Sequence, residues 1–320
     1  MQDDAATSLP GLAEIEQAAR RIAAHAHRTP VLRSRSLDAM AGAELLFKCE
    51  NFQRAGAFKF RGACNAVWSL TDAVAQRGVV THSSGNHGAA LALAAQTREI
   101  PAHVVVPEGA VASKVAAIEA YGATLHRCAP TLAAREAAAE RVRVETGASL
   151  IHPYTNPDVI AGQGTAALEL FEQVGTLDVL IAPIGGGGLV GASAAAAASR
   201  SPPVRVVAAE PEGAADAAES LRRGTRVTEI EPDTICDGLR AVIGQVNFDL
   251  LVRHQVSVLT LVDSDTVEAM RLIWNRLKII VEPSAAITLA AVLRFPEQFA
   301  GRKVGIILSG GNVDLDHLLW

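Results

Sequence analysis

Short β-branched runs separated by alanine-rich stretches predict an α/β protein whose sheets are doubly wound and mainly parallel. Three observations lead there. The runs "GVVTH" (78–82), "AHVVVP" (102–107), "TLHRCA" (124–129), "DVLIAPI" (178–184), "VRVVAAE" (204–210) and "KVGIILS" (303–309) are mostly continuous in apolar character, as in strands covered on both faces. Helix-favouring stretches at 86–97, 112–121, 132–146, 161–174 and 265–278 lie between them, as crossovers between parallel strands require. Three of the strand ends lead into glycine-containing loops, the place where open α/β sheets hold ligands.

Bulk composition narrows the function. A chain of 320 residues with 49% hydrophobic content can bury one large core or two smaller ones. A net charge of −5 without a basic block argues against nucleic acid and anionic membrane as partners. Cys49, Cys64, Cys128 and Cys236 are scattered and form no C-x-x-C pair, so neither a disulfide framework nor a zinc ribbon is expected. The acidic start "MQDDAATSLPGLAEIEQ" lacks the apolar run of a signal peptide. The apolar stretch "GASAAAAASR" falls short of the roughly 18–20 residues that cross a bilayer. A cytoplasmic location is expected. "SPPV" and "EPDT" are surface turns, and composition alone places no domain boundary.

The first loop contains Ser83, Ser84, Gly85, Asn86, His87 and Gly88, the second Gly185, Gly186, Gly187 and Gly188, the third Gly310, Gly311 and Asn312. Successive glycines reach positive φ and let backbone N–H groups approach an anion with no Cβ in the way. The stretch that follows the second loop, "LVGASAAAAAS", is a helix whose positive end points at the same spot. A tight strand-to-helix turn accounts for one or two glycines, not four, so a phosphate is the expected guest. Gly186, Gly188 and Gly191 also spell G-x-G-x-x-G, with Glu210 ending the next strand about 20 residues on, as in a dinucleotide site. Read alone, that pattern indicates an NAD-dependent oxidoreductase. It leaves "SSGNHG", "SGGN" and Lys59 without a role.

Lys59 stands between Phe58 and Phe60 in "AGAFKFRGA" (55–63). A lysine near a helix end ordinarily snorkels to water. Held in a dry setting, its ammonium form is disfavoured and the amine becomes neutral and nucleophilic.

Further segments join these: "FKCENFQRAGAFKFRGACNAV" (47–67), "HPYTNPDVIAGQGT" (152–165), "AEPEGAAD" (209–216), "CDGL" (236–239), "VEPSAA" (281–286) and "LSGGNVD" (308–314). With "SSGNHG" and "GGGGL", and in this order over nearly the whole chain, they resemble the fold-type II pyridoxal-phosphate enzymes, in the branch of serine/threonine dehydratases and serine racemases. The resemblance implies two domains, each a mainly parallel twisted sheet flanked by helices. Residues 1–50 and 149–320 would form the large cofactor-binding domain, and 51–148 the small domain with the Ser83–His87 loop. It also implies a homodimer acting on a small amino acid.

By the same resemblance, Lys59 forms a Schiff base with pyridoxal phosphate beside Phe58. Gly185, Gly186, Gly187 and Gly188 cradle the phosphate, Asn86 bonds the ring 3′-oxygen and Ser309 faces the pyridine nitrogen. A neutral hydroxyl there makes the ring a weaker electron sink, which favours expulsion of a β-substituent over a long-lived carbanion. Ser83, Ser84, Asn86 and His87 suit a substrate carboxylate at a helix N-terminus, and Arg135 matches a substrate-side arginine of the racemases. Glu210, the Ala214 carbonyl and Asp216 match a divalent-cation site, whose oxygen ligands suit Mg²⁺ or Ca²⁺. By residue type alone, His87 is equally a satisfied loop histidine, Arg135 an exposed helix charge, and the two acids ordinary surface groups.

The chemistry implied is β-elimination. Lys59 removes the Cα proton as general base, the β-hydroxyl leaves, and hydrolysis yields a 2-oxo acid and ammonia: pyruvate from L-serine, 2-oxobutanoate from L-threonine. Racemisation shares the first step and needs an acid on the opposite face, a role that Ser84 matches. Dehydration of 3-hydroxyaspartate uses the same framework. Three departures lean toward elimination: Ala241 replaces a serine of the animal racemases, Tyr154 an asparagine, and Ala89 a glutamine, which puts their nucleotide effector site in doubt. The sequence ends shortly after "LSGGNVD", without the regulatory extension of isoleucine-inhibited threonine deaminases, so an unregulated or catabolic enzyme is expected.

Overall fold

A computed structural model of the chain describes residues 9–83, 85–110 and 112–320. Its strands are β1 (Val31–Leu32), β2 (Glu44–Cys49), β3 (Val79–Thr81), β4 (Ala102–Pro107), β5 (Thr124–Cys128), β6 (Ser149–Leu150), β7 (Val179–Pro183), β8 (Arg205–Pro211), β9 (Ser257–Leu261) and β10 (Lys303–Leu308). They form a six-stranded sheet in the order β1-β2-β10-β7-β8-β9 and a four-stranded sheet in the order β5-β4-β3-β6. All pairings are parallel except β1 with β2. The α/β class with mainly parallel sheets flanked by helices is therefore observed.

The apolar strands are double-faced, as their composition requires. Val179 and Ile181 of β7 enter one core with helices Asp263–Leu277 and Pro283–Arg294. Leu180 and Ala182 enter the opposite core with helices Pro157–Val174 and Gly188–Ala198. In the smaller sheet, Val105 meets helix Leu132–Thr146, while Val104 and Val106 meet helices Asn86–Thr97 and Ala112–Ala120. This sheet spans 79–150, because β6 is its fourth strand. Helix Pro157–Val174 begins four residues before the expected 161: Asn156 caps it through a side-chain bond to the Val159 amide, and Pro157 takes its first turn. Among the described residues no helix is long and apolar enough to cross a membrane.

Candidate active site

Parallel strands send their carboxyl ends to one edge. The chain leaves β7 toward β8 and β9 and returns as β10 on the other side of β7. A crevice therefore opens between the loops after β7 and β10, and Gly185–Gly188 and Ser309–Asn312 border it.

The glycine loop has no room for side chains. A Cβ on Gly185 would stand 2.8 Å from the Leu239 Cα, one on Gly186 would overlap the Tyr154 ring, and one on Gly187 would stand 2.8 Å from the Asn247 Cβ. Gly187 also has φ +87°, and no side chain caps the helix Gly188–Ala198 that starts there. Its first N–H groups are thus free for an anion. Asn247, which the sequence did not single out, pins the loop by donating to the carbonyls of Tyr154 (2.7 Å) and Gly186 (2.5 Å).

Opposite, the strand bridge Ala57–Gly310 and a 2.9 Å bond from the Phe58 amide to the Ser309 carbonyl clamp residue 59 beside the end of β10. Lys59 opens helix Lys59–Ser69. Its Nζ donates to the Pro153 carbonyl at 3.2 Å and lies 5.0 Å from the centre of the Phe58 ring. Burial pushes the amine down to about 8, against the pull of Glu282. Phe60 is buried too, so the dry setting read from the sequence is present. Ser309 is buried, with its hydroxyl 3.4 Å from the Ser284 carbonyl.

The smaller sheet supplies the facing wall. Asn86 starts helix Asn86–Thr97; its Nδ2 donates to both oxygens of Glu282 (3.0 and 3.1 Å) and its Oδ1 accepts from Asn312 at 2.9 Å. Glu282 is itself buried, which raises its carboxyl. Ser83 precedes this helix, and its carbonyl lies where a Cβ on Gly88 would be. Ser84 lies outside the described residues. His87 is buried with Nε2 3.3 Å from the Ile151 carbonyl; burial, then the Lys59 charge, holds it well below the usual imidazole range. It is a neutral ring, and among the described residues its buried Nδ1 has no partner. Arg135, in the first turn of helix Leu132–Thr146, is partly buried, and its Nε has no partner among the described residues. Its charge acts on His82 and Tyr154, and His82, His152 and Tyr154 stack edge to face at 5.1 and 4.6 Å. Burial, with His82 and Lys59, pushes His152 down to about 3. Lys59, His87, His152, Tyr154 and Arg135 thus form one series of groups that feel each other's charge. Beside it a cavity of about 510 Å³ reaches Gly85, Asn86 and Asn312, with Lys114 paired to Asp237 across it.

Glu210 and Asp216 sit on the far side of the glycine loop. Glu210 ends in the core, and its two oxygens accept from the amides of Ala217 (2.8 Å) and Ala218 (2.9 Å). Asp216 Oδ2 accepts from the Ile243 amide at 2.8 Å, while the buried Oδ1 has no partner among the described residues. Burial raises Glu210 to about 8 and Asp216 to about 6. Among the described residues no group of three or more His, Cys, Asp or Glu side chains could hold a metal ion. Both Glu210 oxygens already accept from amides, so of the two acids only Asp216 Oδ1 is open to a hard cation among the described residues. With its carboxylate on helix amides, Glu210 is not placed as the ribose acid of a dinucleotide site.

A lysine driven toward neutrality, facing an anion cradle at the switch point of a parallel sheet, defines a scaffold for a covalently held phosphate cofactor. The family described as "Pyridoxal-phosphate dependent enzyme" matches residues 22–310, and the chain belongs to it. It is 46% identical to a β-hydroxyaspartate dehydratase of Paracoccus denitrificans (strain Pd 1222), over 98% of this chain and 99% of that one. Among solved structures, maize serine racemase superposes with a TM-score of 0.93 at 47% identity, covering 96% of this chain and 95% of that one. Serine racemase from Dictyostelium discoideum does so with 0.92 at 47% identity, covering 96% and 100%. A solved threonine deaminase follows with 0.90 at 42% identity, covering 96% and 99%. The oxidoreductase alternative gives way to this family.

Proposed function

We propose that the protein is a pyridoxal-phosphate-dependent ammonia-lyase that converts a β-hydroxy amino acid to a 2-oxo acid and ammonia. The observation that supports this best is the Lys59 amine, lowered to about 8, standing across from the Gly185–Gly188 cradle. When bound, pyridoxal phosphate supplies an aldehyde for covalent attachment and a ring that accepts electrons. Backbone amides of Gly185–Gly188 would hold its phosphate, and Phe58 would stand beside the attachment point. Asn86, fixed by Glu282 and Asn312, would meet the ring oxygen. The Ser309 hydroxyl, neutral at all working pH, would leave the ring nitrogen largely unprotonated. Lys59 would lift the Cα proton. Ser83, Ser84 and the neutral His87 would take the substrate carboxylate as hydrogen-bond partners. Ser84 on the other face would also allow racemisation. The small domain expected at 51–148 would be built on the four-stranded sheet, 79–150, and the large domain, expected at 1–50 and 149–320, on the six-stranded one, in a cytoplasmic homodimer.

Among L-serine, L-threonine and 3-hydroxyaspartate, one observation favours the last. Arg135 is partly buried, and its buried Nε has no partner among the described residues, so this guanidinium has a donor open to an anion. A second carboxylate would supply it. With pyridoxal phosphate and Mg²⁺ added, 2-oxo acid release from the three substrates tests both readings. Arg135→Met is expected to lower kcat/KM for 3-hydroxyaspartate on the order of 10²-fold while serine changes only a few-fold. Equal losses on all substrates would refute the dicarboxylate preference; no 2-oxo acid from any would refute the lyase.

Mg²⁺ or Ca²⁺ at Glu210, the Ala214 carbonyl and Asp216 would neutralise two acids whose protonated forms burial favours. Carboxyls raised in the folded state add stability that is complete below their ordinary pKa and is lost as pH rises through the folded values. With chelator present, the melting temperature should therefore fall between about pH 4.5 and about 8, and Mg²⁺ should restore the high-pH end. A profile that chelation leaves unchanged would count against these ligands.

A further inference from the structure

We propose that Arg61 is a positioning residue: with Glu50 and Glu169 it mounts the helix bearing Lys59 on the body of the six-stranded sheet, and so fixes where the Lys59 amine stands. The proposal rests on Lys59 being the cofactor lysine, and none of these three groups enters the chemistry above.

Arg61 is 1% exposed, two residues after Lys59. Its Nε and Nη2 grip Glu50 at 2.7 and 2.8 Å, and its Nη1 reaches Glu169 at 3.1 Å. Thr29 closes on Glu50 at 2.6 Å, and the buried Lys48 donates to Glu169, Gln173 and the Thr29 carbonyl. Two cations thus balance two carboxylates. A buried charge set of this kind rarely adds stability over apolar packing. What a planar fork does add is geometry, because its donors meet a carboxylate in one orientation.

The same helix is tied along its length to helix Pro157–Val174. The Gly62 amide bonds Gln163 Oε1 (3.1 Å), Asn65 donates to the Asp158 carbonyl (2.8 Å), and Ser69 donates to the Asp158 carboxylate (2.9 Å). The two helices approach so closely that a Cβ on Gly162 would stand 2.6 Å from the Gly62 Cα. Toward the smaller sheet the contact is different in kind. Phe60, Ala63, Cys64 and Val67 pack with Ala90, Leu91 and Ala94 through apolar surface, and Arg98 at the end of helix Asn86–Thr97 adds a bond to the Val67 carbonyl and lies over the Trp68 ring. Directional bonds are concentrated on the side of the helix that meets Pro157–Val174, and the side toward the smaller sheet is held mainly by apolar contact. Lys59 therefore keeps its place against Pro153 through the ties of its own helix, while Asn86 is held separately by Glu282 and Asn312. A displacement of about 1 Å at a reacting group costs on the order of 10² in rate, which makes such a mount consequential.

The test compares Arg61→Lys and Glu169→Gln with Phe299→Leu, a core change in the larger sheet remote from the network. In each full-length protein, the acylation of the Lys59 amine is followed against pH by peptide mass spectrometry before cofactor is added. The rate at which added pyridoxal phosphate produces a borohydride-sensitive visible band is then measured, and kcat and KM after it. For Arg61→Lys and Glu169→Gln the labelling midpoint of Lys59 should rise by roughly one pH unit or more. Band formation should slow about ten-fold, and kcat should fall on the order of 10²-fold with KM little changed. Phe299→Leu should lower the melting temperature and leave the midpoint where it is in the unmodified protein. A wild-type midpoint and wild-type band formation in the network variants, at reduced melting temperature, would reduce Arg61 to a structural residue and overturn the proposal. If Arg61→Lys does not fold, Glu169→Gln decides alone. A wild-type protein that forms no band would refute the cofactor reading, and the labelling midpoints would still judge Arg61.

Discussion

Lys59→Ala is expected to lower 2-oxo acid release on the order of 10⁴-fold, because in the proposed reaction one side chain would both anchor the cofactor and move the Cα proton. Burial prepares the amine for this work. With a pKa of about 8, half of it is neutral at pH 8, against roughly one part in 250 for an ordinary lysine. Arginine cannot substitute, since its guanidinium stays protonated, so Lys59→Arg should be as inactive. The variants should still fold. An amine whose folded pKa is depressed costs stability below that pKa, so without cofactor Lys59→Ala should melt no lower than the parent at pH 7. Steady-state assays paired with thermal melts check both halves, and substantial activity in Lys59→Ala would contradict the assignment.

Gly187→Ala is expected to weaken pyridoxal-phosphate retention on the order of 10²-fold. The residue has φ +87°, where an L side chain costs about 1–2 kcal/mol. Its new Cβ would also stand 2.8 Å from that of Asn247. Asn247 cannot retreat without releasing the carbonyls of Tyr154 and Gly186. The cradle must then open, and its amides lose their common focus. Cofactor titration of the purified variant, with partial recovery of activity at high pyridoxal phosphate, is the result foreseen; unchanged affinity would mean that the phosphate binds elsewhere.

What could be read in the chain depended on how local the cause was. β7 and β10 are apolar runs buried on both faces, and four successive glycines announce their own conformation. β2 was not foreseen because "ELLFKC" contains Glu44 and Lys48, and Lys48 is buried only because Glu169, 121 residues away, receives it. β9, "SVLTL", alternates in exposure because it lies at the sheet edge, paired with β8 alone. The site divides in the same way. Lys59 and the glycine loop stand out by residue type. Glu282 and Asn247 do not, since their contacts with Asn86 and Gly186 join positions 196 and 61 residues apart. Arg61 was visible in "AGAFKFRGA", but its partners were not, so its work could not be inferred from the motif.

Every chemical assignment made for this molecule requires that vitamin B6 aldehyde become bonded to a single nitrogen. Reducing the cofactor-loaded protein with borohydride and mapping the modified peptide by mass spectrometry tests that directly. The predicted result is a pyridoxyl group on Lys59 alone; its appearance on Lys48, Lys114, Lys278 or Lys303 instead would contradict it.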